Sequence, residues 1–172
     1  MLFGYARHGK DTAAEILTRR FGVRCVSSSW FAAEKIMMPY FAAKGVVYPS
    51  VQECFDDRLD KRAQWFDEIA KYNTPDGSRL SRELFAEYDI YIGIRNVVEF
   101  LAAKQAGLFD YAVWIDRSQH LPAEPTTSNK LGPQFADVVV DNNGTLAELE
   151  EGICGLYGEL IEQKTYSPYD GN

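Results

Sequence analysis

The chain has 172 residues, 46% hydrophobic and 13% aromatic, with ten Tyr and ten Phe. This is enough apolar material for one compact domain with a sizeable core, and the aromatic share excludes a disordered chain. A formal net charge of −7 excludes a wholly basic nucleic-acid-binding face, so any anionic ligand requires a local gathering of positive groups.

In chain order, Leu2 and Phe3 open a short apolar strand that runs into Gly4-Tyr5-Ala6-Arg7-His8-Gly9-Lys10. From Lys10 to Phe21 the spacing of Ala13, Ala14, Ile16, Leu17 and Phe21 predicts a helix, which Gly22 ends. Val23 to Val26 is a second strand candidate, and Ser27-Ser28-Ser29 is an N-cap cluster for a helix carrying Trp30, Phe31, Ile36, Met37 and Phe41. Pro39 is expected to kink that helix and Gly45 to close it. Residues 50–88 read as helical, with Ser50 capping Val51 to Leu59, a second stretch from Leu59 to Tyr72, a turn over residues 73–77 and a third helix from Ser81 to Tyr88. Ile90-Tyr91-Ile92 is β-prone, Asn96 to Ala106 returns to helix, and Tyr111 to Ile115 is the next strand. Residues 117–134, rich in Ser, Thr, Pro and Asn, read as an exposed loop. Val138-Val139-Val140 reads as the clearest buried strand, and Leu146, Leu149, Ile153, Tyr157 and Leu160 mark one face of a final helix. The tail from Thr165 onwards is expected to fray.

Short apolar strands alternating with helices predict a three-layer α/β/α domain whose parallel sheet of about five strands is covered on both faces. No repeat and no linker interrupts residues 1–172, so they read as one domain. The helical block 50–88 is an insertion between strands and a natural substrate-binding cap. No apolar run approaches the roughly 20 residues needed to span a bilayer. Met1 leads directly into a strand without a charged n-region and apolar h-region, so the expected location is cytoplasmic. Cys25, Cys54 and Cys154 are scattered and odd in number, as reduced structural thiols are.

The chemistry lies in Gly4-x-x-x-x-Gly9-Lys10, set between a strand and a helix. A glycine-rich turn lets backbone N–H groups point at a phosphate chain, the helix N-terminus adds partial positive charge, and Lys10 reaches the β- and γ-phosphates. Gly4, Arg7, His8, Gly9, Lys10, Asp11 and Thr12 are the candidate ATP-side residues of this loop, although His8 has no evident catalytic part. Asp11 stands where such loops usually place the Ser or Thr that holds Mg²⁺. A carboxylate beside a triphosphate needs a cation between them, so Asp11 either helps hold Mg²⁺ together with Thr12 or caps the first helical turn.

With Gly4 to Thr12 in view, the chain resembles the bacteriophage-type deoxynucleoside monophosphate kinases of the P-loop nucleoside monophosphate kinase superfamily. The Gly9-Lys10-Asp11-Thr12 run is distinctive of that group. Ser27 to Ile36, Ile92-Gly93-Ile94-Arg95 followed by Glu99, and Ala136 to Val140 running on through Asn143-Gly144-Thr145 resemble further family segments in order and spacing. The resemblance implies transfer of the γ-phosphoryl of ATP to a (deoxy)nucleoside monophosphate with Mg²⁺, in a host cytoplasm if the chain is phage-encoded. It implies phosphate binding by Gly9, Lys10 and Thr12, and catalytic or lid roles for Lys10, Arg95 and Arg117. Asn142 and Asn143 fall where the adenine would rest, and Ser28, Lys35 and Arg62 would face the acceptor. Gly93 departs from the pattern, since the family often has Asp there, and the lid (117–134) and cap are short.

Several bland alternatives stand beside these roles. Arg95 could simply pair with Glu99 four residues on, and Arg58 and Arg62 could belong to a solvated charged face rather than gripping an acceptor phosphate. Trp30, Phe31 and Trp65 sit at helical spacing, which suits a core as well as base stacking. Three other functions share the loop: a kinase acting on hydroxymethylated pyrimidine bases within phage DNA, a non-catalytic nucleotide-binding module, and a small-metabolite kinase acting on dephospho-coenzyme A or phosphomevalonate. The partner expected is thus a small nucleotide, with DNA as the alternative and no membrane.

Overall fold

The computed structural model describes residues 1–125 and 129–165. Five parallel strands, β1 (Leu2–Phe3), β2 (Cys25–Ser27), β3 (Ile90–Ile92), β4 (Val113–Asp116) and β5 (Val138–Asp141), form one sheet in the order β2-β3-β1-β4-β5. Helix α1 (Lys10–Phe21) follows β1 and packs with the last helix, α8 (Leu146–Thr165), on one face. Helices α6 (Arg79–Glu87) and α7 (Val97–Gln105) flank β3 in sequence and pack against each other. Between β2 and β3 lies the insertion, beginning with α2 (Ser28–Ala32) and α3 (Met38–Ala42) and continuing through α4 (Val51–Asp56) and α5 (Arg62–Tyr72) to α6.

Strand alternation sorts the core into two layers. Leu2, Ile92, Val113, Ile115 and Val140 point to the α1/α8 side, where they meet Ala13, Ile16, Leu17, Leu149 and Ile153. Phe3, Tyr91 and Trp114 point the other way, into an aromatic layer with Phe31, Phe100 and the buried Trp65 of the insertion. Phe3 and Trp114 meet edge-on at 5.3 Å between ring centroids. Phe31 and Trp65, at 1% and 3% exposure, are therefore core residues, which removes them as base-stacking candidates. Trp30 is half-buried against Phe55.

Local signals place most boundaries. Ser27 Oγ accepts the Trp30 N–H at 3.1 Å and Ser50 Oγ accepts that of Glu53 at 3.2 Å, so both serine caps form. The expected kink at Pro39 is met by a widened π turn over Ala33–Met37, just before α3. A proline leaves the carbonyl four residues earlier without its helical donor, and the π turn re-registers the chain there. Strand β2 begins two residues later than its apolar run suggests, because it pairs in register with β3 from Cys25↔Ile90 onwards. The Leu59–Tyr72 helix starts only at Arg62, since residues 57–59 tighten into a 3₁₀ turn. Val138-Val139-Val140 is an edge strand rather than a buried one, with Val139 52% exposed. No helix among the described residues is long and apolar enough to cross a membrane. All three cysteines are free thiols. The expected fraying of the tail beyond Thr165 falls outside the described residues.

Candidate functional site

Because every strand runs in the same direction, the segments leaving β1, β3, β4 and β5 all emerge at one rim of the sheet. The chain leaves β1 towards β2 and leaves β4 towards β5, so β1 and β4 flank a switch point, the place where open α/β sheets hold ligands. The glycine loop emerges there. Gly4 has φ 154°, and a Cβ on it would lie 2.6 Å from the Ile115 carbonyl oxygen. Gly9 has φ 94°, and its Cβ would lie 2.3 Å from Asn142 Nδ2. Both motif glycines are thus demanded by the neighbouring strand ends as much as by any phosphate. Arg7, at φ 63°, is the non-glycine residue that takes the left-handed turn between them.

Helix α1 starts directly after Gly9, and its first backbone bond runs from the Ala13 N–H to the Gly9 carbonyl at 2.9 Å. No side chain caps this end. The amides of Lys10, Asp11 and Thr12 therefore remain available to an anion. Lys10 is only 7% exposed, and its Nζ donates to the Tyr5 carbonyl at 2.7 Å, so the ammonium folds back over the loop. Burial, reinforced by Arg95, pushes its pKa down, while Asp11 and Glu124 act in the opposite sense. Asp11 is exposed in the first turn of α1, and Thr12 beside it is half-buried. No cluster of three or more His, Cys, Asp or Glu with metal-binding geometry occurs among the described residues.

The other residues of this rim divide by what they touch. His8 is fully buried beneath the loop, where its Nδ1 accepts the Arg117 N–H at 3.0 Å and its carbonyl accepts Asn142 Nδ2 at 2.9 Å. That arrangement places the proton of a neutral ring on Nε2, which has no partner among the described residues. Arg117 donates to the Asn142 carbonyl at 2.7 Å. Asn142 itself is 5% exposed. His8, Arg117 and Asn142 thus form a brace that ties the loop to the ends of β4 and β5, with side chains engaged by protein groups rather than presented to a ligand. Asn143 is held by Asp141 at 2.6 Å and accepts the Gln119 N–H at 3.0 Å.

On the opposite side of the loop, Arg95 does not pair with Glu99. Its Nη1 donates to Glu124 Oε1 at 2.7 Å, and Glu124 Oε2 accepts the Ala6 N–H of the loop at 2.8 Å. Arg58, from the 3₁₀ turn of the insertion, lies over the Phe55 ring at 4.0 Å. Burial lowers its pKa, and Arg95 and Arg62 lower it further, while Asp56 and Asp11 oppose them. Arg58, Arg62, Arg95 and the first turn of α1 therefore share one electrostatic neighbourhood. Neither Arg58 nor Arg62 forms an ion pair among the described residues; the neighbouring Lys61–Asp57 pair takes the i,i+4 role instead. Ser28 reaches the Gly93 carbonyl at 3.4 Å. Gly93 has φ 85°, which explains a glycine at this strand end where an Asp side chain would require a different backbone.

Lys35 is not brought to this rim. Its Nζ pairs with Glu87 at 3.0 Å, at the end of α6 where the chain enters β3, which is the opposite end of the sheet. That same opposite end holds an apolar cavity of about 300 Å³ lined by residues such as Met1, Leu17, Phe109 and Tyr157, remote from the loop. Sequence reasoning missed Glu124, a lone acid between Ala123 and Pro125 with no motif around it, and missed the bracing parts of His8 and Asn142.

No protein-family model and no curated protein sequence matches the chain. Among solved structures, the chain is similar to a sugar kinase from Janibacter sp. HTCC2649, solved without ligand, at 14% identity and a TM-score of 0.42, over 87% of this chain and 88% of that one. It is also similar to a gluconokinase from Sinorhizobium meliloti 1021 at 16% identity and a TM-score of 0.41, over 94% of each chain.

Proposed function

We propose that the chain is an ATP-dependent phosphotransferase that moves the γ-phosphoryl group of ATP to a (deoxy)nucleoside monophosphate. One observation carries this: an acidic chain, at −7, gathers Lys10, Arg58, Arg62 and Arg95 around a glycine loop whose helix-start amides are open. Phosphoryl transfer asks for alignment and charge neutralisation rather than a strong base. Lys10 and the amides of Gly9 to Thr12 hold the β- and γ-phosphates. Arg95, at the end of β3, lies between loop and insertion and neutralises the transferring group. Arg58 and Arg62 hold the acceptor phosphate, whose oxygen attacks the γ-phosphorus in line as the bond to the β–γ bridging oxygen breaks and ADP departs. A guanidinium suits these places because its fork donates two parallel bonds to phosphate oxygens.

Mg²⁺ is normally held by one or two protein oxygens, the phosphates and water, and Asp11 with Thr12 offers a donor set of that size. The ion would supply further neutralisation of the β- and γ-oxygens. Arg117 acts through the brace, by holding Asn142 and so the loop, rather than on the phosphoryl group.

The test is a coupled ADP-release screen against mono- and deoxymononucleotides, with Lys10→Ala as control and with hydroxymethyluracil-containing DNA as a separate acceptor. Release stimulated by a mononucleotide and lost in Lys10→Ala supports the proposal. Release stimulated by the DNA instead reassigns the acceptor to a base within a polymer. ATP binding without stimulation by any acceptor leaves a nucleotide-controlled binding module, which the glycine at position 93 in place of a strand-end carboxylate would suit. Turnover that persists in Lys10→Ala refutes the mechanism.

A further inference from the structure

The glycine loop already holds an anion. Glu124 bridges it to Arg95, with one carboxylate oxygen on the Ala6 N–H at 2.8 Å and the other on Arg95 Nη1 at 2.7 Å. The Glu124 side chain is only 15% exposed, while the Arg95 side chain that reaches it is 45% exposed, so the carboxylate is enclosed against the loop and the guanidinium meets it from the solvent side. The Glu124 charge also reaches Lys10, where it opposes part of the lowering that burial imposes on the ammonium. A carboxylate offers two oxygens in a plane, much as a phosphate offers a pair, and both kinds of group are drawn to loop amides and guanidinium forks. Ala6 and Arg95 are donors that a bound polyphosphate would claim, and the single Ala6 N–H, already given to Glu124, cannot serve two anions at once.

We propose that Glu124 is a built-in competitor for the phosphate cradle: its carboxylate occupies the Ala6–Arg95 position, and an incoming polyphosphate must displace it. This deepens the proposed function and rests on it. Displacement frees Arg95 to turn from Glu124 to the ligand, so that the catalytic arginine is released by the donor it serves. Near Glu124, the Lys130 N–H donates to the Arg95 carbonyl at 3.2 Å, and Leu131 is 2% exposed in the core. The backbone on the far side of Arg95 is therefore anchored independently, and loss of the Glu124 carboxylate opens the cradle without removing that anchor. The apparent affinity for any cradle ligand is reduced by the fraction of molecules in which Glu124 is displaced.

The experiment is calorimetric titration of inorganic pyrophosphate, without metal, into wild type, Glu124→Gln and Glu124→Ala, with amide hydrogen exchange at Ala6 followed in the ligand-free proteins. If Glu124 keeps the cradle filled nine-tenths of the time, Glu124→Gln binds pyrophosphate about tenfold more tightly, and Glu124→Ala at least as tightly. The Ala6 amide exchanges faster in both variants and is protected again by pyrophosphate. Unfolded variants are recognised by circular dichroism, and two substitutions of different size guard against one failing to fold. Equal or weaker pyrophosphate binding by both variants, with wild-type protection at Ala6, overturns the proposal while leaving the cradle intact. Faster exchange at Ala6 with no pyrophosphate or ATP binding by any of the three proteins overturns the cradle itself, and the competitor with it.

Discussion

The two ends of the sheet use the same strands for opposite purposes. At the carboxyl end, three of the four segments leaving β1, β3, β4 and β5 are tied to one another by buried polar contacts, and the backbone turns left-handed at Arg7, Gly9 and Gly93. At the amino end, apolar side chains of β1, α1, α8 and the 108–113 stretch surround the 300 Å³ cavity, and few charged groups enter. Arg7, the non-glycine residue with a left-handed backbone, and the buried polar brace lie where a ligand would bind, while apolar side chains line the cavity at the other end. Substitutions at the two ends should therefore separate function from stability.

The largest separation is expected from Lys10→Ala, which should lower turnover by about 10²–10³-fold, the scale for losing one transition-state donor, while the melting temperature holds. The wild-type Lys10 also gives a pH signature. Its folded pKa is lowered, so the ammonium is lost at a pH below that of a free lysine, and polyphosphate affinity falls as pH rises through that lowered value. Between that value and 10.5 the unfolded chain binds the proton more strongly, so stability rises over the same range. Opposite slopes for binding and stability, read by calorimetry and thermal melts, would confirm which end the lysine serves.

Leu17→Ala, in the second half of the same helix and at the amino end of the sheet, should do the reverse: about 2–5 kcal/mol of stability lost in denaturant unfolding, with nucleotide affinity of the folded protein unchanged. A matching loss of affinity would break the comparison. Gly9→Ala belongs to both sides of it, since the added Cβ meets Asn142 Nδ2 and sits in a left-handed backbone. About 2 kcal/mol of stability and most of the pyrophosphate binding should go together, measured on the same samples.

The smallest effect is expected at Glu99, in the first turn of α7. Burial pushes its carboxyl above the usual range, and it has no cationic partner among the described residues. A carboxyl whose folded pKa is raised favours the folded state below the unfolded value of 4.5, and that contribution is lost as pH rises through the folded pKa. Glu99→Gln should thus raise the melting temperature slightly at neutral pH and leave it unchanged in acid below pH 4.5. A gain that persisted in acid would mean that the charge is not the cause.

The strand–loop–helix at the start of the chain was legible because its signals are local: alternating apolar pairs, a glycine at each end of the loop, and helical spacing from Lys10. The same holds for the serine caps at Ser27 and Ser50 and for the parallel sheet implied by strands separated by helices. Lys35 was misplaced because helical spacing says which face a residue is on and not which end of the sheet that face meets. His8 and Asn142 looked like ligand contacts because they lie within or beside motifs, yet they are 134 residues apart and bond each other.

By itself, then, the sequence determined the element types, the loop and the supply of cations, since each depends on residues within one or two turns of one another. Strand order, the edge position of β5, the gathering of Arg58 and Arg95 and the seat of Glu124 were decided only in the folded chain. They depend on contacts across tens of residues, and side-chain chemistry carries no record of which distant donor it will meet.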